Sequence, residues 1–169
     1  ELGGKSPAIV CPDIAPARVA ARLATGKWFN AGQTCIAPDY VLLVGDRARR
    51  DALVEALREQ VAMRYGDLGA SPDYTRIVSD AHFARLQGYL DDARARGATI
   101  LPLAGGHDPE ARLFAPTLVL DPEPAAALLR EEIFGPIAGI QRARDAAHAL
   151  ELANATPQGL SGAVFTASA

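Results

Sequence analysis

Gly32-Gln33-Thr34-Cys35 sets a thiol where a nucleophile would be placed. The segment follows the expected end of a helix at Asn30 and precedes Pro38, so Cys35 falls on a tight, irregular stretch and not inside a helix or strand. A thiol attacks as its thiolate. A free pKa of about 8.5 leaves little of that form at neutral pH, so a reactive cysteine needs nearby dipoles, which the backbone amides of a loop can supply. A lone free cysteine is more often a small buried hydrophobe; here the neighbours Gln33 and Thr34 weigh against that role.

Two further segments carry carboxylates in suggestive settings. Glu1-Leu2-Gly3-Gly4-Lys5 puts one beside a pair of glycines, where missing side chains allow backbone to approach a ligand closely. Glu131-Glu132-Ile133-Phe134-Gly135-Pro136 places two carboxylates and an aromatic ring just ahead of an expected strand, able to meet a ribose hydroxyl and a flat ring. As bare patterns these are equally a chain terminus and a surface turn. Neither G-x-G-x-x-G nor G-x-x-x-x-G-K-[ST] occurs, so dinucleotide binding does not follow from glycine spacing. His82, His107 and His148 stand apart from any Cys or Asp at ligand spacing and are assigned neither a metal nor a catalytic role.

The elements that must position these residues are short and alternate. Apolar, β-branched runs at Ala8 to Val10, Tyr40 to Val44, Thr99 to Leu103, Thr117 to Leu120, Pro136 to Ile140 and Ala163 to Thr166 read as buried strands. Between them, Asp46 caps a helix that stacks Leu53, Leu57 and Val61, and Ser79 or Asp80 opens one that stacks Phe83, Leu86 and Leu90 and stops at Gly97. Shorter alanine-rich helices are expected from Pro16 to about Phe29 and from Asp145 to Ala155. This alternation predicts an α/β fold, a mostly parallel open sheet with helices on both faces. In such sheets the loops at the carboxyl ends of the strands commonly carry the ligand site.

With 169 residues and 49% hydrophobic content the chain is long enough for one sizeable core, and no internal repeat or linker divides it. Its 17 basic and 20 acidic residues are spread out, which disfavours nucleic acid as a partner. No apolar run approaches the roughly 20 residues of a transmembrane helix. The two cysteines, Cys11 and Cys35, form neither a disulfide framework nor a zinc spacing, so a reducing, cytoplasmic setting is expected. Glu1 is not a start methionine, and the chain is expected to be a segment of something longer.

Taken in order, Glu1-Leu2-Gly3-Gly4-Lys5-Ser6-Pro7, Asn30-Ala31-Gly32-Gln33-Thr34-Cys35 and Glu131-Glu132-Ile133-Phe134-Gly135-Pro136 resemble the signatures of the aldehyde dehydrogenase family. The string from Gly26 to Tyr40 is most similar to the class 3 branch, which includes fatty-aldehyde, aromatic-aldehyde and coniferyl-aldehyde enzymes. The resemblance implies that Cys35 attacks an aldehyde to give a thiohemiacetal and then a thioester, and that Glu1 is the general base for hydrolysis. It implies NAD or NADP as cofactor, with Glu132 on the nicotinamide ribose, Phe134 packed nearby, and Leu2 and Gly3 forming the floor beside the ring. Residues 1–169 would then be the nucleophile-bearing catalytic domain. The cofactor-binding domain and the oxyanion-hole asparagine would lie upstream of Glu1, leaving this chain inactive alone, and the full-length protein would be a homo-oligomer. The pattern from Asn154 to Gly162 also resembles the family, except that Gln158 stands where an aromatic is common. An acyl-phosphate or acyl-thioester reductase of the same superfamily, a cofactor-free esterase, and a non-catalytic structural module are the alternative expectations.

Overall fold

Tyr40–Val44 is five apolar residues with no polar alternation, the pattern of a strand covered on both sides. In the computed structural model, which describes residues 3–156 and 158–168, all five are buried. This strand belongs to a six-stranded sheet of β1 (Pro7–Val10), β2 (Tyr40–Val44), β3 (Thr99–Pro102), β4 (Thr117–Leu120), β5 (Ile137–Ala143) and β6 (Ala163–Phe165). Their order across the sheet is β3-β4-β5-β2-β1-β6, parallel throughout except for the antiparallel pairing of β3 with β4 at one edge.

Side chains alternate between the two faces, and each face is closed by helices. Val41 and Leu43 of β2, with Ala8 and Val10 of β1, pack beneath α1 (Pro16–Trp28) and α2 (Arg47–Tyr65). Tyr40, Leu42 and Val44 face the other layer, built from α3 (Asp80–Ala95), the short α4 (Ala127–Arg130) and α5 (Ala146–Asn154). The helix starts follow from their caps. Asp46 accepts from the Arg49 amide at 2.9 Å, Ser79 from that of His82 at 3.3 Å and Asp145 from that of His148 at 2.8 Å. α1 has no side-chain cap and begins instead on Pro16, whose missing N–H costs nothing at a helix's first position.

Three expectations are corrected. The four-residue α4 was not anticipated, being too short to show periodicity. β5 runs on to Ala143, past the expected Ile140, because polar Gln141 and Arg142 lie where the sheet reaches solvent, Arg142 meeting Asp121 at 3.2 Å. The third correction concerns function. The segments singled out for chemistry precede their strands: Lys5 leads into β1, Cys35 into β2, Glu131–Pro136 into β5 and Leu160–Gly162 into β6. They therefore gather at the amino ends of the parallel strands, not at the carboxyl ends. Because β1 and β2 are parallel neighbours, α1 must run back between them, and its C-terminus delivers Cys35 to the edge where β2 starts. No helix among the described residues is long and apolar enough to cross a membrane.

Candidate active site

Cys35 is half-exposed, at the end of a sharply bent segment. α1 stops at Trp28, and the chain then makes a tight turn over Phe29–Gly32 in which Asn30 (φ 52°), Ala31 (φ 51°) and Gly32 (φ 71°) are all left-handed. Each non-glycine residue held there costs roughly 1–2 kcal/mol, so the bend must be held by its surroundings. Trp28 donates its indole N–H to the Pro136 carbonyl at 3.1 Å. The Gln33 amide bridges to a separate loop, donating to the Arg76 carbonyl at 3.1 Å and accepting from the Val78 N–H at 2.9 Å. Asn30 and Gln33 also exchange side-chain-to-carbonyl bonds, each at 3.2 Å. A hydrogen bond from the Ala37 N–H to the Thr34 carbonyl, 3.1 Å, then carries the chain round Cys35.

Missing side chains bring the three motifs together. At Gly32 a Cβ would collide with the Gly135 carbonyl and lie 2.9 Å from that of Lys27, so the nucleophile loop and the Glu131–Pro136 segment are in backbone contact. A Cβ on Gly4 would strike Leu160 and sit 3.3 Å from the Cys35 carbonyl oxygen. Gly3 lies against the Glu132 carboxylate, where a Cβ would be 2.6 Å from Oε2. Cys35, Gly3 and Glu132 thus share one edge of the molecule. Phe134 stands half-buried at the same edge with φ 44°. Glu1 and Leu2, assigned to water activation and the cofactor floor, lie outside the described residues.

Beneath this edge is a buried ion cluster that sequence reasoning missed. Asp39, at the start of β2, faces the ammonium of Lys5 at 3.3 Å and that of Lys27, on α1, at 3.6 Å. Lys5 also donates to the Glu131 carbonyl at 2.7 Å and to that of Leu128, while Asp39 accepts from the Ile133 N–H at 3.1 Å. The amino ends of β1 and β2, the end of α1 and the approach to β5 are all tied to one carboxylate. Burial lowers the pKa of Lys5, against the pull of Asp39. Lys27 is fully buried and makes no hydrogen bond, and burial brings its pKa down to about 8, with the like charge of Lys5 adding to the effect. The only sequence cue was that Lys5, Lys27 and Asp39 each border an apolar run, a position that surface charges share.

The remaining candidates are placed apart. Cys11 follows the carboxyl end of β1, away from the cluster, and burial followed by the nearby Asp13 pushes its thiol pKa up. The three histidines serve structure: Nδ1 of His107 accepts from the Ala115 N–H at 3.0 Å, that of His148 from the Arg144 N–H at 3.2 Å, and that of His82 faces Arg85 at 3.4 Å. Gln158, the departure from the family pattern, bonds through its backbone, its carbonyl accepting from the Lys5 N–H at 2.7 Å. A groove of about 380 Å³ opens beside Lys5, Asn154, Leu160 and Ser161. A larger cavity of about 670 Å³, between Tyr40, Leu129, Arg130, Gln141 and Thr156, is not lined by Cys35.

A parallel α/β sheet that gathers a strained cysteine loop, a glycine pair and a glutamate-bearing turn at its amino edge fits one family closely. The aldehyde dehydrogenase family model matches residues 1–169, and the chain belongs to that family. Among curated relatives, it is 40% identical over 169 residues to the coniferyl aldehyde dehydrogenase of a Pseudomonas species, covering 98% of this chain and 35% of that protein. It is 38% identical to the dimeric NADP-preferring aldehyde dehydrogenase of Rattus norvegicus, covering 98% of this chain and 35% of the relative. Among solved structures, the substrate-bound Staphylococcus aureus AldH superposes with a TM-score of 0.89 at 35% identity, over 100% of this chain and 36% of the other. The NADP complex of the NADP-dependent glyceraldehyde-3-phosphate dehydrogenase of Bacillus halodurans gives 0.86 at 35% identity, over 99% and 34%. The chain spans about a third of the length of the relatives it matches.

Proposed function

We propose that the full-length protein oxidises an aldehyde to a carboxylic acid with NAD or NADP, and that residues 1–169 form its nucleophile-bearing catalytic unit. The observation that carries this reading is the convergence of Gly3, Cys35 and Glu132 at one edge, with Cys35 half-buried. Cys35, as thiolate, bonds the carbonyl carbon to form a thiohemiacetal, and after oxidation holds the acyl group as a thioester. Bound NAD(P) supplies the hydride acceptor. Glu1 then takes a proton from the water that hydrolyses the thioester, freeing the acid and the thiol. Gly3 and Gly4, two and three positions after Glu1 in the sequence, lie against Glu132 and the Cys35 carbonyl, which supports this assignment of Glu1.

The residues present fit the nicotinamide end of the cofactor. Glu132 lies against backbone that has no side chain to block approach, and the half-buried Phe134 follows two positions later on the same turn. They offer nothing for the pyrophosphate, since no phosphate-cradling glycine loop occurs in this chain, which is why the chain alone is expected to lack dehydrogenase activity. Relatives named for coniferyl aldehyde make aromatic aldehydes the first substrates to try, and the dimeric relative makes a homo-oligomer the expected assembly. Two free cysteines suit a cytoplasmic location.

The test is aldehyde-dependent NAD(P)H formation by the full-length protein, its Cys35→Ala variant and this chain alone. Activity is expected only in the first, and an active Cys35→Ala variant would refute the nucleophile assignment. Near neutral pH iodoacetamide is expected to modify Cys35 before Cys11, whose thiol is held protonated.

A further inference from the structure

The proposed mechanism gives Glu132 a task and leaves its neighbour Glu131 idle, although the two carboxylates are adjacent on one turn, Glu131 exposed and Glu132 half-buried. The structure shows what tells them apart. Arg85 and Tyr89 lie one turn apart on α3, with the guanidinium over the tyrosine ring at 5.3 Å. Arg85 donates from Nη1 to the Glu132 carbonyl at 3.3 Å and from Nη2 to the Phe134 carbonyl at 3.4 Å. Its Nη1 also donates to the Tyr89 hydroxyl at 3.1 Å, and that hydroxyl lies 3.0 Å from Glu131 Oε2 and 3.3 Å from the Glu132 carbonyl. One planar fork therefore takes two carbonyls on either side of Ile133, whose own N–H is turned inward to Asp39, and it does so across the residue at φ 44°. The tyrosine ties Glu131 back toward α3, and Glu132 is left to face Gly3.

The loop that leads into this helix braces the nucleophile. α3 is capped by Ser79, and the residue before it, Val78, gives its N–H to Gln33, which holds the bend leading to Cys35. The α3 helix thus holds the Glu131–Phe134 turn, and the loop just before it holds the cysteine bend.

We infer that Arg85, acting with Tyr89, is a positioning residue that selects Glu132 over Glu131 as the carboxylate presented to the cofactor. This rests on the reading of Glu132 as the ribose ligand, and the test separates the two. In the full-length protein, Glu132→Gln, Arg85→Ala, Arg85→Lys and Tyr89→Phe would be compared for the KM of NAD and NADP, for kcat, and for the rate of iodoacetamide modification of Cys35 without cofactor. Arg85→Ala is expected to raise the cofactor KM by about tenfold while leaving thiol modification within about twofold, since two charge-assisted hydrogen bonds to the turn are lost and the cysteine loop keeps its own supports. Arg85→Lys should recover part of that loss, because an ammonium reaches one carbonyl but not both. Tyr89→Phe keeps the ring and frees Glu131, so it should raise the same KM several-fold, and it serves as the variant if Arg85→Ala fails to fold. A raised KM in Glu132→Gln with none in Arg85→Ala or Tyr89→Phe would overturn the inference and leave the ribose reading standing. An unchanged KM in Glu132→Gln would sink that reading and the inference with it. A fall in thiol modification matching the fall in kcat, at constant KM, would make Arg85 a general structural support and also overturn it.

Discussion

Replacing Lys27 with methionine removes a cation that the fold keeps at a cost. In the folded chain Lys27 loses its proton at about 8, whereas an unburied lysine does so at 10.5. Below pH 8 both folded and unfolded states carry that proton, and the cost of burying the charge is constant at about 3 kcal/mol. Between pH 8 and 10.5 the unfolded state binds more protons than the folded one, so this group's contribution to stability rises with pH and the cost is gone above that window. Methionine matches the lysine stem in volume and needs no partner, while Asp39 keeps Lys5 and the Ile133 N–H. The variant is therefore expected to be more stable than the parent at pH 7 by about 1–3 kcal/mol, up to a cost that is already net of the attraction between Lys27 and Asp39. Urea denaturation at pH 7, 8, 9 and 10 measures this as the difference between parent and variant, in which the opposing titration of buried tyrosines cancels. The gap should narrow steadily above pH 8. The counterpart Asp39→Asn leaves two buried ammonium groups without a carboxylate and should cost about 3–5 kcal/mol. A Lys27→Met variant less stable than the parent at pH 7, or a gap that ignores pH, would refute the reasoning.

Gly32→Ala forces a Cβ into the Gly135 carbonyl at a left-handed residue, and denaturant unfolding should show a loss of about 3 kcal/mol or more, with slower alkylation of Cys35 when folded. Gln33→Ala removes the bonds to the Arg76 carbonyl and Val78 N–H; a loss of about 1–3 kcal/mol, read the same way, is expected from the groups left unpaired.

Much of the fold could be read from local pattern. Tyr40–Val44 and Thr117–Leu120 are strands because continuous apolar runs bounded by turns have no other burial as good, and Asp46 and Ser79 start helices because each can satisfy an amide that the first turn leaves free. Of the site, Cys35, Gly3, Glu132 and Phe134 could be named from motifs, and the first three do share one edge. Arg85 could not be picked out, and the bracing role of Gln33 could not be read from its motif, because each acts through contacts to backbone 43 to 49 residues away.

The order of residues by itself determined where most strands and the longer helices form, which cysteine sits in a bend, and which family the chain resembles, since these depend on neighbours a few positions apart. Only the tertiary structure decided that the motifs meet at the amino ends of the strands, that Lys5, Lys27 and Asp39 form one buried cluster, and that Glu132 faces Gly3 while Glu131 does not. Those outcomes depend on strand order and on which helix packs on which face, and side-chain burial and charge pairing exist only once distant segments have come together.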